Sequence, residues 1–383
     1  MRILNITLIL ITLASSLFSQ NSEYLKEELL KVDFQPNSID INKDNTKLLI
    51  GGENKMVMLY NLETKKEEFE TEAHYQAVTE VCFSNIYDGF YTVGDKSFKL
   101  WLFGNDQPEK LFKGSHTFIT DLDMTAKEDF FVGGSYEKRF RYWKDTAIEM
   151  PTEINTSQKK SVVSVAISKD GKKIAAGSLD STIELWNTDS LRRTVKILAH
   201  SNPVCCLKFI NNGKYLLSAS HDGYVKLWDV ATGNNIKVYK PHAQPISEID
   251  VSPDEKLVLT AAYDNTIGLY NIASGDCIYQ YHAHKAPVLD VQWNSNGDGF
   301  YSCDSEGNIY EWIVSKKIFA EFYFGKEMND EINSNKLFSP RRKGESKEDY
   351  KTREERAEKF KNTLIDKYYK QYTELDKTQK IQR

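Results

Sequence analysis

An all-β fold built from seven like sheets, with a helical extension behind it, is what this sequence predicts, and three observations carry the prediction. Seven times an aromatic residue closes a short apolar strand, at Tyr60, Trp101, Trp143, Trp186, Trp228, Tyr270 and Trp312, in steps of 41 to 43 residues. Within each step, short runs alternate apolar and polar residues, the pattern of strands with one face buried. Gly, Asn and Asp separate the runs, as tight turns require. A fixed period of this size marks a repeat architecture. Four strands of five to six residues and their turns fill about 40 residues.

The elements align repeat by repeat. In the fifth, His200 leads Val204, Leu207 and Phe209, then a turn at Asn211-Asn212-Gly213 and a strand from Tyr215 to Ser220. A second turn, His221-Asp222-Gly223, precedes Val225-Lys226-Leu227-Trp228-Asp229. The sixth repeats this from His242 with Asp264 and Tyr270, and the seventh from His284 with Glu306 at the Asp position and Trp312. The second runs from His74 through Asp95 to Trp101. Other repeats depart from the pattern. The first has Asn54 and no leading histidine, the third Ser115 and Glu137, and the fourth Gln158 before Asp180.

The Ala-His pairs at Ala73-His74, Ala199-His200 and Ala283-His284, with Leu227-Trp228-Asp229, resemble the Gly-His and Trp-Asp dipeptides of WD40 repeats. The resemblance covers roughly residues 24 to 325. It implies a seven-bladed β-propeller, each blade a four-stranded antiparallel sheet. A lone sheet cannot bury both faces, so blades stack, and closing the ring protects their edges. Two segments compete for the fourth strand of the last blade, Glu27–Asp33 and Lys316–Phe324. In WD40 proteins the N-terminal strand usually closes it, which favours the former.

Composition and termini add a second layer. With 383 residues, 40% of them apolar, the chain can bury a sizeable core. A formal net charge of −5 argues against general nucleic-acid binding. Residues 1–20 combine Met1-Arg2, an apolar run from Ile3 to Leu13, and the small residues Ala14-Ser15-Ser16 before Phe18-Ser19-Gln20. This reads as a secretory signal cleaved after Ser16 or Ser19, so an exported, periplasmic or secreted protein is expected; an uncleaved N-terminus leaves a cytoplasmic or membrane-tethered chain. No later segment is apolar enough to span a membrane. Cys82, Cys205, Cys206, Cys277 and Cys303 are odd in number and fall mostly in strands, as buried thiols do. Residues 326–383 form a charged linker and tail. Tyr350, Ala357, Phe360, Leu364, Tyr368 and Leu375 mark a modest amphipathic stripe, read either as a partner-binding or rim-packing helix or as a solvated tail.

The chemistry on offer is thin. His200, Asp222 and Ser218 or Ser220 have the residue types of a catalytic triad, but a triad occurs once per site. Here His74/Asp95, His200/Asp222, His242/Asp264 and His284/Glu306 recur at the repeat period. The resemblance implies that these residues, with Trp101, Trp228 and Trp312, form buried hydrogen-bond networks inside the blades. His282-Ala283-His284 is the one close histidine pair, and no metal or other cofactor is expected. Gly51-Gly52 and Gly133-Gly134 occupy equivalent places and read as strand features.

Recognition remains. In the implied propeller, the turns before the first strand and between the second and third strands share one face. That mapping places Tyr75, Phe118, Tyr136, His221 and Tyr263 on it as aromatic anchors. Lys138, Arg139, Lys159 and Lys160 form a basic patch there, tempered by Glu137 and suited to an acidic partner. The expected function is a non-catalytic scaffold for protein partners. The competing functions are a hydrolase or lyase at the central channel and a small-ligand or carbohydrate binder.

Overall fold

The computed structural model describes residues 24–144, 150–240, 242–341 and 343–374. The expected signal at 1–20 lies outside the described residues, as does Leu375. Among the described residues, the strands form five four-stranded antiparallel sheets and one of eight strands. Each four-strand run starts with an innermost strand: Pro36–Ile41, Val78–Phe83, Ile119–Met124, Val162–Ile167, Val204–Ile210, Ile246–Val251 and Val288–Trp293. The eight-stranded sheet holds the runs that begin at Ile119 and Val162, which meet through the single pair Ser135–Val162. The innermost strands neighbour one another in sequence order, and the last returns to the first. The arrangement is a β-propeller.

Closure comes from the N-terminal segment. Leu25–Lys31 pairs antiparallel with Asn308–Ile313, from Leu25 opposite Trp312 to Lys31 opposite Asn308. The competing segment Lys316–Phe324 is instead the first half of helix α1 (Lys316–Ser334), so the helical part begins ahead of residue 326. Its apolar residues suit a helix better than a strand: Ile318, Phe319, Tyr323 and Phe324 are buried together on the helix, whereas a strand would split them between its two sides.

Packing between sheets explains the recurring small residues. Leu49, Val57 and Ala73 of the first run interlock with Val78, Val81, Phe90 and Trp101 of the second. A Cβ on Gly51 would lie 2.6 Å from side-chain carbons of both Val78 and Val81, so glycine is what allows that approach. Helix α1 and helix α2 (Lys347–Glu374) share the core of the last two runs. Phe319, Tyr323 and Phe324 from α1, with Leu364, Tyr368 and Tyr372 from α2, join Tyr281, Trp293 and Trp312 in one cluster. Phe319 stacks on Tyr372 at 4.9 Å, and Asn271 Nδ2 donates to the Tyr323 hydroxyl at 3.2 Å. Each buried apolar side chain of this size stabilises by about 1.5–3 kcal/mol, so the helices are held to the propeller as one unit. No helix among the described residues is long and apolar enough to cross a membrane. All five cysteines are free thiols; Cys206 and Cys303 are buried and Cys277 is exposed.

Candidate functional site

The repeating His–Asp constellation resolves into sealed networks. His200 Nδ1 lies 3.0 Å from Asp222 Oδ2, and its Nε2 lies 2.8 Å from Ser218 Oγ. Trp228 Nε1 donates to the same hydroxyl at 2.8 Å. Asp222 also accepts the backbone N–H groups of Ser201 and Tyr224, each at 3.0 Å, which pins two turns to one carboxylate. His242 repeats the geometry with Asp264 at 3.0 Å and Thr260 Oγ1 at 2.7 Å. His74 reaches Thr92 Oγ1 at 2.9 Å, which also accepts from Trp101 Nε1, while its Nδ1 is 3.5 Å from Asp95.

In the seventh repeat the sequence assignment needs correction. The partner of His284 is Asp304, at 2.8 Å, and Glu306 is exposed. Asp304 sits at the end of its strand, two residues earlier, where its short side chain reaches the histidine directly. It also accepts from the backbone of Glu306 and from Asn308, so it holds the turn as Asp222 does elsewhere. Glu306 occupies the position of Asp222 by register, yet its function has moved along the chain. Ser302 Oγ completes this network between His284 Nε2 and Trp312 Nε1, both at 2.7 Å.

The electrostatics agree with an architectural role. Burial raises the carboxyls of Asp222, Asp264 and Asp304, but the histidine and turn hydrogen bonds outweigh it and hold all three below the usual carboxylate range. Burial pushes His284 down despite Asp304, and takes His74 down to about 4, with Lys99 adding to the effect. The four histidine side chains are 0–1% exposed, so no substrate atom can reach them. His282 is exposed while His284 turns inward, so the pair offers no converging ligands.

The third and fourth repeats solve the same problem with charge, which the sequence reading missed. Buried Arg141 donates to Gly114 O at 2.7 Å, Ser135 Oγ at 2.9 Å, Glu137 at 2.5 Å and Glu153 at 2.9 Å. In the fourth repeat Gln158 Nε2 donates to Ala176 O and Thr182 O, at 2.9 and 3.0 Å. Fully buried Glu184 takes Arg193 at 2.9 Å and Ser157 Oγ at 2.6 Å. Trp143 Nε1 and Trp186 Nε1 have no hydrogen-bond partner among the described residues. An arginine within a strand predicted to be buried was the available signal.

The turns predicted as a contact face lie at one end of their sheets. The residue after each second strand donates back to the residue before the first: Tyr136 to Phe118 at 3.4 Å, His221 to Pro203 at 3.1 Å, Tyr263 to Pro245 at 3.0 Å. Tyr75 is tied by its backbone N–H to Asp95 at 2.6 Å. Tyr75, Tyr136, Tyr263 and Phe118 are 83, 56, 48 and 40% exposed, large for aromatic rings on a folded surface. His221 is exposed as well. Of the basic patch, Lys138, Lys159 and Lys160 are exposed. Arg139 does not belong to it as a free charge. Its Nη1 lies 2.6 Å from Glu153 Oε2, since the outer strand Thr152–Asn155 runs alongside. Val162 N donates to Glu137 O and Thr156 N to Lys138 O, joining the patch across two runs.

Residues 151–187, 192–229, 233–271 and 275–312 each match the model of the family described as WD domain, G-beta repeat. These are WD40 repeats. Among curated proteins, pre-mRNA-processing factor 19 of Mus musculus is 25% identical over 171 residues, 43% of this chain and 33% of that protein. Its counterpart from Dictyostelium discoideum is 25% identical over 194 residues, 48% of this chain and 38% of the relative. Protein SOF1 of Saccharomyces cerevisiae is 22% identical over 161 residues, 41% and 33% respectively. The chain spans about a third of the length of the curated relatives it matches. These relatives overturn the expected exported, periplasmic or secreted location. Factors named for pre-mRNA processing act inside the cell, and the Met1–Gln20 pattern, a short apolar run after one arginine, is weak evidence against them.

Proposed function

We propose that this chain is a non-catalytic scaffold, a WD40 propeller that holds protein partners within an intracellular RNA-processing assembly. The observation that carries the reading is the division of labour among its polar and aromatic residues. The His–Asp–Ser/Thr groups are buried and repeated, whereas Tyr75, Phe118, Tyr136 and Tyr263 stand exposed on turns that share one end of the sheets. Counting the eight-stranded sheet as two blades, because its halves share one residue pair, gives seven blades over residues 24–314 with a helical hairpin behind them. Lys138, Lys159 and Lys160, which have no ion-pair partner among the described residues, favour an acidic segment on that protein partner. Partners contact the protein through this face, and RNA is not bound directly by a chain of net charge −5.

The test is affinity capture of the full chain from its own cells after ribonuclease treatment, against a variant carrying Phe118→Ala, Tyr136→Ser, Lys138→Glu, Lys159→Glu and Lys160→Glu. The reading expects a reproducible set of proteins retained by the native chain and lost by the variant at unchanged melting temperature. Equal retention by both chains refutes the assigned face.

A further inference from the structure

The inner strands carry charge that the outer turns do not explain. Beyond the register irregularity at its second residue, each inner strand presents two side chains toward the channel at matching positions. Strand Pro36–Ile41 contributes Asp40, strand Val78–Phe83 Glu80, and strand Ile119–Met124 both Asp121 and Asp123. Strand Ile246–Val251 adds Glu248, with Asp250 at the next matching position of the register, and strand Val288–Trp293 adds Asp290. The one channel cation is Lys208, from strand Val204–Ile210. Strand Val162–Ile167 offers only Ser164 and Ala166, and Gln292 is neutral. The thiols of Cys82, Cys205 and Cys206 are pushed up by burial and stay uncharged. Asp40, Glu80, Asp121, Asp123, Glu248 and Asp290 line one cavity of about 240 Å³ together with Lys208.

Six of the carboxylates also bridge neighbouring runs through backbone N–H groups. Asp290 accepts Ile39 N at 2.7 Å, Asp40 accepts Phe83 N at 2.6 Å, and Glu80 accepts Leu122 N at 2.6 Å. Asp121 accepts Val165 N at 2.6 Å, Asp123 accepts Ile167 N at 2.7 Å, and Asp250 accepts Trp293 N at 2.8 Å. Glu248 instead accepts the Cys206 thiol at 2.5 Å. The same side chains therefore hold adjacent sheets together and crowd like charge into a narrow space. A protonated carboxyl still accepts through its carbonyl oxygen, so the bridge survives neutralisation while the repulsion does not.

We propose that the channel is a pH-sensitive clasp, in which the bridging carboxylates tighten the ring as they take up protons and loosen it as they ionise together. Burial supports this by pushing Asp40 and Asp121 up to about 7 and Asp250 up to about 6, and Glu80 and Asp290 well above the usual range, with neighbouring carboxylates adding to each. The bridging backbone N–H groups and Lys208 oppose the rise, and burial outweighs them. Because these folded values are raised, their contribution to stability is full below about pH 4 and lost as pH climbs through 6 to 7. His74 and His284 run the other way below pH 6.5, so the channel is read from the difference between variants and the native chain.

The experiment compares melting temperatures of the native chain with Asp40→Asn and Asp121→Asn, which keep an acceptor oxygen and remove the charge, at pH 8 and pH 6. Each variant is expected to melt about 2–4 °C above the native chain at pH 8, with a smaller gap at pH 6. Lys208→Met is expected to lose more at pH 8 than at pH 6. Variants that melt below the native chain at pH 8, or gaps that do not change with pH, overturn the clasp. Should a variant fail to fold, carboxyl ¹³C titration of the native chain decides the matter. Midpoints above 6 support the clasp, and midpoints all below 5 overturn it.

Discussion

Repeats five to seven and repeats three and four meet the same structural demand by different chemistry. In the first group a relay of histidine, aspartate and hydroxyl ties the turns down, and in repeats five and seven a tryptophan N–H joins it, with the Trp228 and Trp312 indoles and their serines matched. In the second group a buried guanidinium or carboxylate does it, and two indole N–H groups go unmatched. What the difference teaches is that a blade needs its turns anchored and its buried polar atoms paired, while the identity of the anchor is free. The exchange carries a cost, because a buried ion pair depends on both members far more than a hydroxyl relay does.

The sharpest way to break the comparison is Arg141→Met. It leaves Glu137 and Glu153 with Arg139 as their remaining arginine partner and takes the donor from Gly114 O and Ser135 Oγ, so a loss of about 3 kcal/mol in chemical unfolding is expected. A loss under 1 kcal/mol would show that the charged anchor is dispensable. Next comes acid titration of the histidine relay. His74 stays neutral in the folded state to about pH 4 but takes a proton near 6.5 once unfolded, so its contribution to stability is full above 6.5 and falls by roughly 3 kcal/mol as pH drops toward 4. His74→Gln should flatten that slope, and parallel curves for the two chains would remove His74 as its source.

A smaller contrast lies in the indoles. Trp228→Phe loses a hydrogen bond that Trp143→Phe never had, so the first should cost about 1 kcal/mol more than the second beyond their shared loss of packing. Equal losses would mean that Trp143 is satisfied in solution. The smallest effect is on the surface: Lys138→Glu with Lys159→Glu and Lys160→Glu should change unfolding by within about 0.5 kcal/mol while slowing partner association at low salt.

The two groups also differ in how far the sequence revealed them. The relay repeats were legible because His74, His200, His242 and their aspartates recur at one period, and a periodic pattern survives small errors of alignment. Glu306 shows the limit: position alone cannot tell which of two carboxylates two residues apart will reach the histidine. Arg141 and Glu184 were overlooked as anchors, since a charge in a strand reads as solvent-facing unless the strand itself is taken as buried. Arg139 was misjudged because Glu153 lies 14 residues away and becomes a neighbour only through strand pairing. The channel carboxylates recur at the inner-strand positions, but Cys206, Ser164 and Lys208 interrupt them and hide the pattern. The face bearing Tyr75, Phe118, Tyr136, His221 and Tyr263 was placed through the family resemblance rather than through composition.

Joining Leu25–Lys31 to Asn308–Ile313 makes the first and last strands of the ring co-owners of a single sheet. During synthesis, every earlier run can form as it emerges, yet the circle stays unlatched until nearly three hundred further residues have been added. Maturation of this molecule is thus gated by the last strand of its ring.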